Sequence, residues 1–416
     1  MIAKKWANEG IKQVLLIEPN FPIPKKSINH KDFLPIGLLK LASYLKYNGF
    51  EVKLSRLDTD FQSNFEHLEL NPDIILITSL FTYWAKHVKD AVEYCRNAFP
   101  NTKIIVGGIY ASLMPEDCKE YTGCDEVFIG VCEEAEKCKP DYDLVDVDYQ
   151  IIHSSRGCIR KCPCCGVYEI EPKFTYKKSI KKEIIKRKLV FYDNNLLANP
   201  FIENILEELV ELKKNRTILN CESQSGFDGR ILVDNPHLGK LLKKAQFVNP
   251  KIAWDGEFSE ADSIKKQIDI LVDSGYNYKE ISVFMLFNHD ISFEDMEKKR
   301  IQCWKWNVQI SDCRFRPLDQ NYDNYNPYTK KPQSSEDYYI HPGWSDELVR
   351  AFRSNIRKQN ICVRQDIRYY SADIERKRIS KEEAIKYKNM EFEEAKNYVK
   401  DAWNPNKIHA TYKMGG

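Results

Sequence analysis

Four cysteines stand within eight positions of the segment "SSRGCIRKCPCCGVYEIEP", residues 154–172. Thiolates this close together can hold a zinc ion or an iron–sulfur cluster, or can pair as disulfides. The chain has thirteen cysteines, and an odd count argues against a fully paired set of disulfides. A structural zinc site needs a second pair of Cys or His residues, and no CxxC or HxxxH follows. The spacing Cys158-x3-Cys162-x2-Cys165 leaves one iron of a four-iron cluster free for a small molecule.

Composition limits the classes of protein to which the chain can belong. It has 416 residues, 43% hydrophobic and 30% charged, which is typical of a soluble protein of two or three domains. A net charge of +2 does not favour generic phosphate-driven binding of nucleic acid. No apolar run reaches the roughly 18 residues that span a membrane, and "MIAKKWANEG" lacks the apolar core of a secretory signal. We therefore expect a cytoplasmic protein with no membrane partner, in which clustered cysteines are more often metal ligands.

The front of the chain alternates strand-like and helix-like patterns between residues 12 and 130. Short apolar runs such as "KQVLLIEP", "PDIILITSL" and "TKIIVGG" are separated by amphipathic segments such as "LPIGLLKLASYLKYNGF". This alternation predicts a doubly wound, Rossmann-like parallel sheet, with any ligand at the carboxyl ends of its strands. We assign residues 1–135 to this domain and the acidic segment 136–150 to a linker.

A second alternating region covers residues 151–316. Its strand candidates are "YQIIHSS", "KLVFYDN", "RTILNCE", "PKIAWDG", "EISVFMLF" and "NVQISDCRF". Helical patterns separate them near 179–187, 201–214, 236–244, 259–275 and 292–306. Six such repeats predict a partial (β/α)6 barrel with its chemistry at the carboxyl ends of the strands. Residues 317–416 predict a long loop and then a mostly helical region, with a second helix capped by Ser380 and Glu383.

Three cysteines at this spacing, directly after the first strand of a partial barrel, resemble the signature of radical S-adenosylmethionine (radical SAM) enzymes. The resemblance implies a [4Fe-4S] cluster held by Cys158, Cys162 and Cys165, with S-adenosylmethionine on the open iron. One-electron cleavage of that cofactor would yield a 5′-deoxyadenosyl radical. The family usually has an aromatic residue before the third cysteine, whereas this chain has Cys164, which we expect beside the adenine or as a competing ligand.

Polar residues and one glycine at the later strand ends fit the same resemblance. They are candidate S-adenosylmethionine contacts, each with the alternative of an ordinary loop residue or helix cap: Asp193, Asn194, Asn195, Glu222, Gln224, Arg230, Gly256 and His289.

The front region resembles the cobalamin-binding domain that precedes the barrel in one radical SAM subclass. The segments that carry this resemblance are "LPIGLLKLASYLKYNGFEV", "DIILITSL", "IIVGGIYASLMPE" and "EVFIGVCEEA". Candidate cobalamin contacts at the predicted strand ends are Pro35, Gly37, Leu38, Ser79, Thr82, Gly107, Gly108, Tyr110 and Gly130. The Asp-x-His-x-x-Gly motif is absent, and His30 lacks its neighbours, so we expect no histidine on the lower face of cobalt. The alternative is a degenerate domain that binds no corrinoid.

The two resemblances together imply a cobalamin-dependent radical SAM methyltransferase that methylates an unactivated carbon through methylcobalamin. One alternative is the same scaffold without methyl transfer, catalysing a rearrangement, an epimerisation or another radical modification. Another is a metal-stabilised nucleic-acid-binding protein. The substrate could be a peptide or protein side chain, a nucleobase or a small metabolite. A one-electron reductant such as flavodoxin or ferredoxin is the expected protein partner.

Overall fold

The front of the molecule is built on a five-stranded parallel sheet. The computed structural model describes residues 2–23, 34–57, 71–376 and 379–408. The strands lie side by side in the order β2-β1-β3-β4-β5. Their bounds are β1 (Gln13–Glu18), β2 (Glu51–Arg56), β3 (Ile74–Ser79), β4 (Lys103–Gly108) and β5 (Glu126–Val127).

Helices cover both faces of this sheet, which is why its central strands β1 and β3 are continuous apolar runs, whereas the edge strand β2 is partly polar. Within β1, Leu15 and Ile17 enter one core, and Val14 and Leu16 enter the core on the opposite face. The helices are α1 (Ile2–Asn8), α2 (Ile36–Tyr47), α3 (Ala85–Ala98), α4 (Ile109–Leu113), α5 (Pro115–Thr122) and α6 (Glu133–Glu136).

Six further parallel strands form the predicted partial barrel. Two three-stranded sheets are joined by parallel bridges from Cys221 to Phe247 and from Phe227 to Ile252, so that the six strands follow one another in chain order. The strands are β6 (Tyr149–Ile152), β9 (Lys188–Phe191), β10 (Asn220–Ser223), β11 (Lys251–Ala253), β12 (Ser282–Phe287) and β13 (Gln309–Arg314). A small antiparallel hairpin of β7 (Ser155–Arg156) and β8 (Thr175–Tyr176) follows the first of them.

Helices pack on the outside of the barrel and share one large core with its strands. They are α8 (Ile202–Lys214), α9 (Gly229–Asp234), α10 (His237–Lys244), α11 (Ala261–Asp273) and α12 (Phe293–Lys305), and the short α7 (Val167–Ile170) lies in the segment that joins β7 to β8. The helix predicted near 179–187 is wrong, since only a 3-10 turn forms there. The amides of Ile185 and Lys186 donate to the side chain of Gln150 instead of to a preceding turn.

The C-terminal region is a long loop followed by α13 (Asp346–Gln365), α14 (Ala372–Glu375), α15 (Lys381–Asn389) and α16 (Phe392–Tyr398). The predicted capping box of Ser380 and Glu383 is present. The single helix predicted beyond it is broken, because Met390 is extended and buried between the last two helices. None of the helices described is long and apolar enough to cross a membrane. The predicted fold class is confirmed.

Candidate cofactor site

The four cysteines lie in residues 154–172, here called the cysteine loop, which leaves the carboxyl end of β6. The amide of Cys165 donates to the carbonyl of Cys162 at 3.0 Å, which folds the loop back on itself. Burial raises the pKa of the Cys165 thiol, and its neighbours Cys162 and Cys158 raise that pKa further. Burial also raises the pKa of Cys164, whose neighbours include Asp255 of the barrel rim. Both thiols therefore lie near Cys162, and Cys164 also lies near the barrel rim.

The cysteines of the loop suit an iron–sulfur cluster better than a single metal ion that is held entirely by protein side chains. Within the described ranges, no three Cys, His, Asp or Glu side chains are arranged to hold a metal ion. All four thiols of the loop are free. Ligation by Cys158, Cys162 and Cys165 would leave one iron of a four-iron cluster open, with Cys164 as an additional thiol in the loop. The assignment of Cys158, Cys162 and Cys165 as ligands stays a prediction.

Asp193, expected to contact S-adenosylmethionine, instead positions the cysteine loop. Its carboxylate is fully buried and accepts hydrogen bonds from the amides and hydroxyls of Ser154 and Ser155, at 2.6 to 3.0 Å. Burial raises the pKa of Asp193 although these donors lower it. The carboxyl end of β9 is therefore tied to the start of the loop, chiefly through Oδ1 of Asp193, and contact of this residue with a cofactor stays a prediction.

Two neighbouring amide side chains do have unsatisfied atoms. Asn195 Oδ1 and Gln224 Oε1 are buried and have no hydrogen-bond partner among the described residues. Asn195 Nδ2 donates to Asp228 at 3.0 Å, and Asn194 Nδ2 donates to Glu171 at 3.2 Å. Buried acceptors without donors are costly, so the two orphan oxygens indicate a ligand with N–H groups. The ammonium group of S-adenosylmethionine is such a donor.

The other four barrel candidates have contacts within the protein or are mostly exposed. Glu222 forms a buried ion pair with Lys251 at 3.1 Å, while Arg230 is mostly exposed and pairs with Asp228 at 3.0 Å. A Cβ on Gly256 would lie 2.2 Å from the carboxylate of Glu260, which is the end of a flexible side chain and can move aside. The ring of His289 packs edge-on against Phe315. Contacts from these four residues to a cofactor stay predictions.

Sequence analysis missed three residues that organise the rim, namely Arg160, Asp228 and Lys299. Asp228, the N-cap of α9, accepts from Arg160 of the cysteine loop at 3.0 Å as well as from Asn195. Lys299 is buried and donates to the carbonyls of Trp254 and Gly256 at 2.7 and 2.8 Å. Burial lowers the pKa of Lys299 to about 8. In the sequence, only Asp228 could have been found, because Asp is a favoured N-cap and this residue directly precedes α9.

At the front sheet, several of the cobalamin candidates form hydrogen bonds or packing contacts within the protein. Ser79 Oγ donates to the carbonyl of Gly107 and accepts from the amide of Ala111. The hydroxyl of Tyr110 is buried and donates to Asp117. Gly108 has φ +103°, and a Cβ on it would lie 2.2 Å from the carbonyl oxygen of Ser79. The Cβ position of Gly108 is thus occupied by β3, which explains the glycine, and contact of Gly108 with a corrinoid stays a prediction.

The remaining candidates divide into buried and open positions. Pro35, Leu38 and Thr82 are buried, whereas Gly37 is exposed and Gly107 and Gly130 are half-buried. A Cβ at Gly37 or Gly130 would meet nothing within 4 Å. His30 lies outside the described residues.

Apolar side chains mark the open part of this sheet edge. Ile109 directly follows β4 and Ile129 lies two residues after β5, yet they are 38% and 61% exposed. Next to them, the rings of Phe81 and Tyr83 stack at 5.0 Å, and Trp84 packs against both. Exposed apolar groups at a ligand-binding edge indicate an apolar cover, which fits the large face of a corrin.

The two strand-end edges meet across the cysteine loop. Helix α4, which follows β4, packs against α7 in that loop. The guanidinium of Arg316, just beyond β13, lies 4.3 Å above the ring of Tyr83. Asn321 donates to Asp117 at 2.9 Å and closes the same junction. The fold therefore places a Rossmann-type ligand edge and a barrel rim against each other.

Comparisons with known proteins agree with this description of the front region. Residues 30–138 match the sequence profile of the family described as B12 binding domain, which confirms the predicted resemblance to a cobalamin-binding domain. A search of curated proteins gave no significant match.

Two solved structures are similar to parts of the chain. One is the apo cobalamin-dependent S-adenosylmethionine radical enzyme OxsB, which is 13% identical over 73% of this chain and 52% of its own, with a TM-score of 0.47. The chain thus spans about half the length of OxsB. The other is a cobalamin-binding protein from Desulfitobacterium hafniense, which is 17% identical over 30% of this chain and 54% of its own, with a TM-score of 0.22.

Proposed function

We propose that this protein is a cobalamin-dependent radical SAM enzyme that transfers a methyl group to an unactivated carbon. The observation that carries the proposal is the junction of the two edges. The cysteine loop lies between the barrel rim and the strand ends of a region that matches a B12-binding profile. Two cofactors bound at these edges would share one cavity with the substrate.

Within the barrel, the proposed roles divide between holding and positioning. Cys158, Cys162 and Cys165 hold the cluster, and the orphan oxygens of Asn195 and Gln224 accept hydrogen bonds from the amino group of S-adenosylmethionine. Asp193 and Asp228 position these residues, because each ties the loop to a different strand end. When bound, the cluster would supply the electron that cleaves one S-adenosylmethionine, and cobalamin would pass the methyl group of a second S-adenosylmethionine to the substrate.

In the front region, shape and apolar contact hold the corrinoid. Ile109 and Ile129 expose apolar surface, and the open space at Gly130 lets a large ligand approach the backbone. The aromatic set of Phe81, Tyr83 and Trp84 offers no metal ligand of ordinary strength, which fits a lower cobalt face without histidine. We propose the domain boundaries 1–135, 136–150, 151–316 and 317–416 on the same basis. We also propose a flavodoxin or ferredoxin as the electron donor.

The test is anaerobic reconstitution of the full chain with iron, sulfide and hydroxocobalamin. We expect a full iron–sulfur cluster, about one cobalt per chain, and 5′-deoxyadenosine on addition of a reductant and S-adenosylmethionine. Isotopic label in the S-methyl group should pass to the product of a candidate substrate. A full cluster with negligible cobalt would remove the methyltransferase and favour a radical modification without methyl transfer. Zinc with no iron chromophore would remove both.

A further inference from the structure

A cavity of about 600 Å³ lies between the front region and the start of the cysteine loop. Its walls come from α2, from the segment 131–137, from residues 153–156 and from residues 170–177 around β8. The cavity has the volume of an ordinary small-molecule site and lies at a domain junction, where such sites are common. Arg156, two residues before Cys158, projects into it.

The lining of this cavity carries an excess of positive charge. Its charged residues are five basic and three acidic, namely Lys40, Lys137, Arg156, Lys173, Lys177, Glu133, Glu136 and Glu171. Arg156 pairs with Glu171 at 2.7 Å and lies 3.3 Å from Glu136, which also pairs with Lys40. Lys177 pairs at 2.7 Å with Glu183, which does not line the cavity.

Three of these cations act on one another inside the cavity. Burial lowers the pKa of Lys40, and the neighbouring Arg156 and Lys177 lower it further, although Glu136 raises it. Burial lowers the pKa of His153 well below its usual value, and the same three cations add to that effect. Each of these three cations also has a carboxylate partner, so the positive charge of the lining rests on its five basic against three acidic residues. An anion bound in the cavity would be attracted by this excess.

His153 adds a neutral donor to this set. Its Nε2 lies 2.9 Å from Arg156 Nη1. A guanidinium can only donate, so Nε2 must accept and the proton of the neutral ring is on Nδ1. Within the described part of the chain, Nδ1 has no hydrogen-bond partner.

We infer that this cavity binds the anionic oxygens of the substrate, a phosphate or a carboxylate, through Arg156, Lys40 and His153. The inference rests on the proposed function, since it places the substrate beside the cluster loop and against the front region. It narrows the substrate to an anionic molecule rather than a neutral side chain. Arg156 suits this role because its planar fork matches phosphate and carboxylate oxygens.

The test is calorimetric titration of the full chain with inorganic pyrophosphate and, separately, with citrate. We expect at least one of them to bind, with affinity at least about tenfold weaker in Arg156→Met, the loss of one charge-assisted contact. Glu136→Gln should bind the probe more tightly, because it removes a competing carboxylate. Lys240→Met, an exposed lysine outside the cavity, should be unchanged. A variant that is merely misfolded could not show the gain expected of Glu136→Gln.

The inference is overturned if neither probe binds, or if Arg156→Met and Glu136→Gln both leave the affinity unchanged. The cobalamin-loaded protein distinguishes two sources of the anion. Probe binding that survives loading supports a separate substrate, whereas binding that loading abolishes would show that the phosphodiester of cobalamin occupies the site and would overturn the substrate assignment. Anion binding needs no cluster, so failure to reconstitute iron or cobalt would affect the proposed function alone.

Discussion

The two proposed ligand-binding edges of the molecule differ in the side-chain groups that they leave open. At the front sheet, the polar groups at the strand ends are satisfied within the protein, as in Ser79 and Tyr110, and the open surface is apolar. At the barrel rim, buried polar atoms such as Asn195 Oδ1 and Gln224 Oε1 have no hydrogen-bond partner in the part of the chain that the structure describes. The first edge suits a large ligand held by shape, and the second suits a small one held by hydrogen bonds and metal ligation.

The strongest test of this difference removes one cysteine at a time. Changing Cys158, Cys162 or Cys165 to Ala should abolish the iron–sulfur absorbance and cleavage of S-adenosylmethionine, because three thiolates hold the whole cluster. Uptake of hydroxocobalamin by the front edge should remain. Cys164→Ala should retain the cluster, since Cys165 and not Cys164 completes the Cys-x3-Cys-x2-Cys spacing. If Cys164→Ala lost iron and Cys165→Ala kept it, the ligand register would be wrong. Iron assay and absorbance give the result.

Adjacent glycines test how tightly the front edge is packed. Gly108→Ala should lower the free energy of unfolding by about 4 kcal/mol, because φ is positive and the new Cβ would lie 2.2 Å from Ser79. Gly107→Ala is the matched control, since its Cβ would make an ordinary 3.6 Å contact with Phe128. Urea unfolding measures both. Equal effects would contradict the close approach of β3 and β4.

The front region should also lose stability as the pH rises. Burial raises the pKa of Glu18 to about 7 from its usual 4.5, although the neighbouring Arg56 lowers it. A carboxyl with a raised pKa in the folded state contributes stability below pH 4.5 that is lost as the pH passes about 7. We expect the free energy of unfolding to fall by about 3 kcal/mol between pH 5 and pH 8. Urea unfolding of Glu18→Gln should lack this part of the pH dependence, and a parallel loss in both proteins would reject the assignment.

The smallest expected effect concerns the orphan oxygens of the rim. Replacing Asn195 or Gln224 by Leu should weaken binding of S-adenosylmethionine about tenfold, the loss of one hydrogen bond to a charged donor. Iron content should stay full because neither residue is a cluster ligand. Equilibrium binding to the reconstituted protein is the measurement, with Asn204→Ala on the exposed face of α8 as control. Unchanged affinity in both Leu variants would show that the oxygens serve another ligand.

Pattern alone predicted every barrel strand and the principal strands of the front sheet. Apolar runs of four to six residues bounded by turns are a local property, and in β1 they are buried on both faces as expected. Prediction failed where a remote side chain replaced a local hydrogen bond. The side chain of Gln150 accepts hydrogen bonds from the amides of Ile185 and Lys186, in place of the local hydrogen bonds that a helix near 179–187 would need.

The sequence by itself determined the spacing of the cysteines, the order of the strands along the chain and the class of fold, since these depend on neighbours a few residues apart. Only the tertiary structure decided which strand-end residues remain open to a ligand. The carboxylate of Asp193 accepts hydrogen bonds from Ser154 and Ser155, 39 and 38 residues away, and the Cβ position of Gly108 is occupied by Ser79. Hydrogen-bond partners this remote leave no local signal, because each is chosen when the strands assemble.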